Sequence, residues 1–168
     1  MKLSTAATLI LLLFLIPLPS CKVKYSMTGG VVCPEAKNFS VQLFPNRAPL
    51  VNPTLSNDFT EALKDFLIRQ TSLTLTSGYG DLNFEGEINR YDTQPVAIEQ
   101  GDLAAMTRLT IGVKVKYTTI CDQKQNFEQT FTRFVDYPSS QTDATADQVR
   151  QVIDQITQDI FNRSLVNW

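Results

Sequence analysis

From Phe39 onward, apolar and polar positions follow two different periods, and the switches between them mark the elements. Phe39, Val41 and Leu43 alternate with Ser40 and Gln42, the period of two expected of a half-buried strand, and Pro45 stops it. "FPNRAPLVNPTLS" then carries three prolines and two asparagines, which predicts a loop of fixed path over 44–53. Leu55, Phe59, Ala62, Leu63, Phe66 and Leu67 recur at spacings of three and four, so a helix follows, with Thr54 or Ser56 as its cap. Asp58 and Glu61 sit early in that helix and Lys64 and Arg69 late, the order the helix dipole favours. "SLTLTSGYGD" reads as a short extended piece and a glycine-rich turn.

The second half alternates more cleanly. Leu82, Phe84, Gly86 and Ile88 oppose Asn83, Glu85, Glu87 and Asn89, a second long strand. The period is lost over 91–101, which contains Pro95, so that stretch is expected as a loop, extended at most around 96–98. Leu109, Ile111, Val113, Val115 and Tyr117 then form the clearest alternation in the chain, against Arg108, Thr110, Gly112, Lys114 and Lys116. A polar turn at 122–126 leads to a strand with Phe127, Gln129, Phe131, Arg133 and Val135 on one side and Glu128, Thr130, Thr132 and Phe134 on the other. Thr145 and Gln148 have capping-box spacing before a helix whose stripe is Val149, Val152, Ile153, Ile156, Ile160 and Phe161. Each helix has one oily face and each strand one oily side. The economical packing is an α+β two-layer sandwich, two helices on one face of a mostly antiparallel β-sheet of about four strands.

The N-terminal end has a different character. An apolar run from Ala6 to Ile16, too short to span a bilayer, follows Lys2 and ends in "LIPLPSC". A basic residue, an apolar centre and a small residue before a cut is the layout of a secretory signal peptide. Leu18-Pro19-Ser20-Cys21 resembles a bacterial lipobox, with Pro19 where a small residue is usual. The reading is a signal peptide over 1–20, a lipidated lead-in over 21–37 starting at Cys21, and a single domain over 38–168. An ordinary secreted protein with an incidental cysteine is the plain alternative. Two or three acyl chains at ~0.8 kcal/mol per buried methylene hold a protein on a membrane where one would not.

Charge and chemistry narrow the function. Of 168 residues, losing the first 20 leaves 148, enough for one domain. Lys2 is the only charge lost, so 14 basic residues face 17 acidic ones, a net −3 that gives no general reason to expect nucleic acid as partner. The chain has no histidine, which removes Ser-His-Asp and Cys-His nucleophilic sites and the commonest metal ligand together. No phosphate-cradling or dinucleotide glycine motif appears, so no cofactor and no metal is expected. Glu85 and Glu87 share a strand face, as solvated carboxylates commonly do. Cys33 and Cys121 form a disulfide or remain two separate buried thiols. Binding, not catalysis, is left. Arg108, Lys114 and Lys116 share one strand face, whose successive residues stand about 7 Å apart, a row suited to phosphorylated sugars of an anionic lipid headgroup. The competing reading is a solvated face, with Glu128 and Asp136 next door as salt-bridge partners. Arg47, in the proline-rich loop, is a further candidate contact or a brace for that loop.

The order of segments resembles a known family. The lipobox cysteine is followed by "KVKYSMTGG", then "FPNRAPLVNPTLSNDFTEALKDFLIRQTSL", "GDLNFEGEI", "PVAI", "RLTIGVKVKYT" and "DIFNRSLVNW". This series is similar to the LptE-type lipopolysaccharide-assembly lipoproteins in the form found in Bacteroidota-like bacteria. The resemblance implies a small α/β lipoprotein on the periplasmic side of the outer membrane. It also implies a partner, the LptD-type β-barrel, within which the protein sits as a plug while lipopolysaccharide passes to the outer leaflet. Lys22 in place of aspartate, and a basic "KVK" in place of an acidic run, agree with that location. The alternative is a free periplasm-facing lipoprotein that binds a small ligand or peptidoglycan on the same kind of fold.

Overall fold

The computed structural model describes residues 35–50, 52–96 and 106–166. Five strands make one sheet: β1 (Asn38–Val41), β2 (Thr74–Leu75), β3 (Leu82–Val96), β4 (Met106–Thr119) and β5 (Phe127–Pro138). Their order across the sheet is β2-β1-β3-β4-β5. The long β3, β4 and β5 form an antiparallel meander, and the short β1 runs parallel to both β2 and β3. Two helices, α1 (Leu55–Gln70) and α2 (Ala146–Leu165), cover one face. The two-layer α+β sandwich follows from the stripes; the fifth strand is the two-residue β2, too short to show a period.

Both helical stripes are buried as spaced. Leu55, Phe59, Leu63 and Leu67 of α1 and Val152, Ile153, Ile156 and Ile160 of α2 share one core with the inward series of β4, Leu109 to Tyr117. Burying each such side chain is worth ~1.5–3 kcal/mol. On β5, Phe127, Phe131 and Val135 join the core side, and Phe134 lies on the other face, half exposed. Arg133, also on the core side but at the sheet edge, closes a two-bond contact with Asp159 of α2 (2.6 and 2.8 Å). A partly exposed pair of this kind contributes ~0.2–1 kcal/mol.

The capping box of α2 forms: the Gln148 amide donates to the Thr145 hydroxyl (3.3 Å), and the Thr145 N–H donates to the Gln148 side chain (2.8 Å). Thr145→Ala is therefore expected to lower unfolding free energy by about 1 kcal/mol in denaturant titration, and Thr145→Ser to change it little. An alanine variant as stable as the parent would show that α2 is held by its apolar stripe alone.

The other cap differs from expectation. Thr54 is the N-cap residue of α1, yet its side chain makes no capping bond; Asn52 Oδ1 accepts from its N–H and hydroxyl instead (3.2 Å each). Ser56 is drawn off to the loop, where its hydroxyl donates to the Phe44 carbonyl (2.6 Å), while the Phe44 N–H donates to Thr60 Oγ1 (3.1 Å). These two bonds fix the chain as it leaves β1, and they explain a second difference. Leu43, expected on the buried face, is 59% exposed, and Phe44 fills the core beside Phe59, rings 5.1 Å apart at 69°. Beyond Phe44 the loop follows the edge of β3, with Arg47 N–H donating to the Ile88 carbonyl (2.8 Å) and Ile88 N–H to the Pro45 carbonyl (3.0 Å).

The third difference is the length of β3. The stretch expected as a loop from Tyr91 is strand as far as Val96. Up to Ile88 the core-facing residues are even-numbered, with Phe84 opposite Tyr117 and Ile88 opposite Val113. The register shifts between Ile88 and Arg90, after which Tyr91 pairs with Ile111 and Thr93 with Leu109. A bulge adds one residue to one strand, so it reverses the parity of every residue after it. An alternation read from a single strand loses its phase there and looks like a loop.

Candidate functional site

The sheet face turned away from the helices collects the charged residues of three strands. Before the bulge β3 presents Glu85 and Glu87, and after it Arg90 and Asp92; β4 presents Arg108, Lys114 and Lys116; β5 presents Glu128, Phe134 and Asp136. The sequence-predicted row of cations is thus brought together on one face, and the register places carboxylates beside each member.

Arg108 pairs with Asp136 across the β4–β5 ladder, donating from Nε (2.7 Å) and Nη2 (2.8 Å) to the two carboxylate oxygens. The same guanidinium lies 3.7 Å from the centre of the Phe134 ring, which shields one side of it. Lys116 Nζ donates to Glu85 on β3 (2.6 Å), and Lys114 Nζ reaches Glu128 on β5 (2.5 Å). Arg90 and Asp92, two apart on the same side of β3, form a fork (2.6 and 3.1 Å). The titration behaviour agrees. The hydrogen bond from Arg108 holds the Asp136 carboxyl below its ordinary range, Lys114 does the same to Glu128, and Arg90 to Asp92. Glu85 raises the Lys116 ammonium and Glu128 that of Lys114. Four cations (Arg90, Arg108, Lys114, Lys116) face five carboxylates (Glu85, Glu87, Asp92, Glu128, Asp136), so the face is polar, finely alternating in sign and close to neutral. It is not a positive stripe.

A shallow cleft of about 450 Å³ opens on this face between Leu43, Glu85, Glu87, Lys114 and Lys116. An anion entering it meets lysines already bonded to carboxylates. Arg47 is placed differently. Its backbone is tied to the β3 edge at Ile88, it is exposed, and it makes no ion pair among the described residues.

Of the cysteines, Cys21 and Cys33 lie outside the described residues, as does the lead-in they belong to up to residue 34. Cys121, just past β4, is disulfide-bonded, and its partner sulfur lies outside the described residues. Among the described residues no three Cys, Asp or Glu side chains are gathered as metal ligands, and no helix is long and apolar enough to cross a membrane.

Sequence reasoning missed the Arg90–Asp92 fork because the bulge hid the strand that carries it. It also missed Glu85 as the counter-ion of Lys116, since the two are 31 positions apart and only the β3–β4 register joins them. Alternation on both strands was the available signal, had their register been known.

Comparison with known proteins bears on the fold and the family. Among solved structures, the chain is similar to protein XCC0632 from Xanthomonas campestris, at 16% identity and a TM-score of 0.52, covering 86% of this chain and 92% of that one. It is also similar to a PelC dodecamer subunit from Paraburkholderia phytofirmans, at 9% identity and a TM-score of 0.51 over 79% and 89% of the two chains. A minor lipoprotein from Acinetobacter baumannii matches at 14% identity and a TM-score of 0.48, over 77% and 90%. At these identities the first two likenesses show the fold alone. No curated protein matches the sequence. A protein-family model described as "LptE: Lipopolysaccharide-assembly" matches residues 36–164, which takes in all five strands and nearly all of α2. The chain belongs to the LptE family of lipopolysaccharide-assembly proteins.

Proposed function

We propose that this protein is the lipoprotein subunit of a lipopolysaccharide translocon in the outer membrane, anchored through acyl chains on Cys21 after removal of residues 1–20. In this reading it acts as plug and assembly partner of an LptD-type β-barrel and helps lipopolysaccharide into the outer leaflet. The family match across the whole folded body is the observation that carries it. Two features support the plug role. The body is one compact sandwich over 38–165, and its open sheet face is polar and self-neutralised, which suits the polar lumen of a large barrel. The family is one of non-catalytic assembly, and nothing in the proposed role requires a reacting group.

The direct test is affinity capture from detergent-solubilised membranes. A tagged protein is expected to bring down one large β-barrel, and its depletion to leave lipopolysaccharide inside the cell. Repeated capture without a barrel would end this reading. Cys21→Ala is expected to move the protein from the membrane pellet to the soluble periplasmic fraction; unchanged partitioning would refute the anchor.

The candidate glycolipid contacts are Arg108, Lys114, Lys116 and Arg47, and their surroundings give them different weights. A phosphate reaching any of the first three must compete with a carboxylate already bonded there, whereas Arg47 has no such competitor among the described residues. Arg47→Gln is therefore expected to weaken binding of purified lipopolysaccharide several-fold, more than any single change among the sheet cations. The triple change of Arg108, Lys114 and Lys116 to Gln is expected to weaken binding without unfolding the protein. Surface affinity unaltered in both variants would return these residues to solubility.

A further inference from the structure

Three strands begin or end side by side near Cys121, and the contacts between them set how far from it the chain stands at Lys37. Asp81, just before β3, takes the backbone of both neighbours: its carboxylate accepts from the Lys37 N–H (2.7 Å), and its carbonyl accepts from the Ile120 N–H (3.0 Å). Asp81 in turn donates its own N–H to Asn38 Oδ1 (2.8 Å). Lys37 and Ile120 therefore lie about two strand spacings apart, roughly 10 Å, at the same end of the sheet. Cys121 is one residue beyond Ile120, and Cys33 is four residues before Lys37, within a reach of about 14 Å. A disulfide needs α-carbons only about 4.4–6.8 Å apart. Cys121 is disulfide-bonded, and the chain holds two other cysteines, Cys21 and Cys33.

We infer that Cys33 is the partner of Cys121, and that the bond clasps the lead-in to the end of the sheet where β4 turns into β5. The choice of Cys33 over Cys21 rests in part on the lipoprotein reading, since a sulfur carrying a diacylglyceryl thioether has no thiol to oxidise. The two tasks are divided between cysteines: Cys21 holds lipid and Cys33 holds the fold. Bond formation is a thiol–disulfide exchange with an oxidised dithiol donor of the compartment. The Cys33 thiolate attacks the donor disulfide, giving a mixed disulfide and releasing one donor thiolate. The Cys121 thiolate then attacks the Cys33 sulfur, forming the Sγ–Sγ bond and expelling the second donor thiolate. Two electrons pass to the donor, and the two thiol protons end on its two thiolates.

The clasp has a mechanical consequence. It leaves the twelve residues 21–32 as the tether between acyl chains and body, a span of at most about 40 Å. Without it the tether would run as far as Lys37 and reach roughly a third further. The end of the body bearing Asp81, Ile120 and the β4–β5 turn is thus the end tied to the membrane.

The test is peptide mapping of the full lipoprotein, extracted in detergent with free thiols blocked at lysis and digested with trypsin without reductant. One cross-linked species joining residues 25–37 to residues 117–124 is expected, and reduction should release two alkylatable thiols. Both peptides found alkylated before reduction, or residues 117–124 joined to the peptide bearing Cys21, would overturn the inference. Cys33→Ser should expose one thiol at Cys121 and lower the melting temperature by about 10 °C, and Cys33→Ser with Cys121→Ser should melt at the same lowered temperature. A Cys33→Ser protein melting with the parent would overturn the clasp as a constraint on the fold. The same map separates this inference from the function: the 33–121 link with an unlipidated Cys21 defeats the anchor alone, and lipid on Cys21 with two free thiols defeats the clasp alone.

Discussion

Gly86→Ala is expected to destabilise the protein by at least about 3 kcal/mol and to leave much of it insoluble. Gly86 faces the core on β3, opposite Val115, and the ring of Phe44 lies over it. A methyl group built there would sit 1.9 Å from the Lys114 carbonyl oxygen and 2.8 Å from Phe44 Cε1. The second contact is with the far part of a side chain, but the first is with backbone held in the β3–β4 ladder. Relief requires the two central strands to move apart. Phe44→Leu combined with Gly86→Ala should therefore rescue little, because it frees the ring contact and leaves the carbonyl in place. Gly78→Ala is the control: nothing lies within 4 Å of its would-be methyl, and its effect should stay within about 0.5 kcal/mol. Thermal or denaturant unfolding of the three variants decides the matter. A Gly86→Ala protein that unfolds with the parent would mean that β3 and β4 do not approach as described.

Phe59→Ala is the second large effect, expected at about 3–5 kcal/mol. Phe59 is fully buried on α1, and its ring meets Phe44 edge to face. Truncation removes the helix's largest core contact and the partner that keeps Phe44 inward, at the point where Ser56 and Thr60 also hold the Phe44 backbone. Loss of that size is a large fraction of the ~5–15 kcal/mol that stabilises a typical domain. Ile68→Ala, on the same helix but half exposed, should cost under about 1 kcal/mol, and Phe59→Leu should fall between. Equal midpoints for Phe59→Ala and Ile68→Ala would show that α1 is not seated on the sheet through Phe59.

Much of the fold was legible because burial imposes a period on each element by itself. The stripes of α1 and α2, the alternation of β4, the capping box and the two layers needed no knowledge of neighbours. The errors share a cause. Leu43 and Phe44 are adjacent and both apolar, and which one turns inward depends on Ser56 and Thr60 of a helix a dozen residues away. β3 looked broken after Ile88 because its bulge reverses parity, and the reversal makes sense only opposite an uninterrupted β4. The candidate site divides in the same way. That Arg108, Lys114 and Lys116 share a face followed from alternation, but their electrostatic state did not. In sequence they form a basic row; in the sheet Asp136, Glu128 and Glu85 make each the half of a pair.

The sequence by itself determined the α+β class, both helices, the faces of β4 and β5, the absence of histidine chemistry and the segment order that resembles the LptE family. Only the tertiary structure decided the strand order, the bulge, the inward turn of Phe44 and the neutrality of the open face. The physical reason is range. The direction in which a side chain points is set every two or 3.6 residues by its own backbone, so a linear pattern records it. What that side chain meets is set by register between strands some thirty residues apart, which no local period contains.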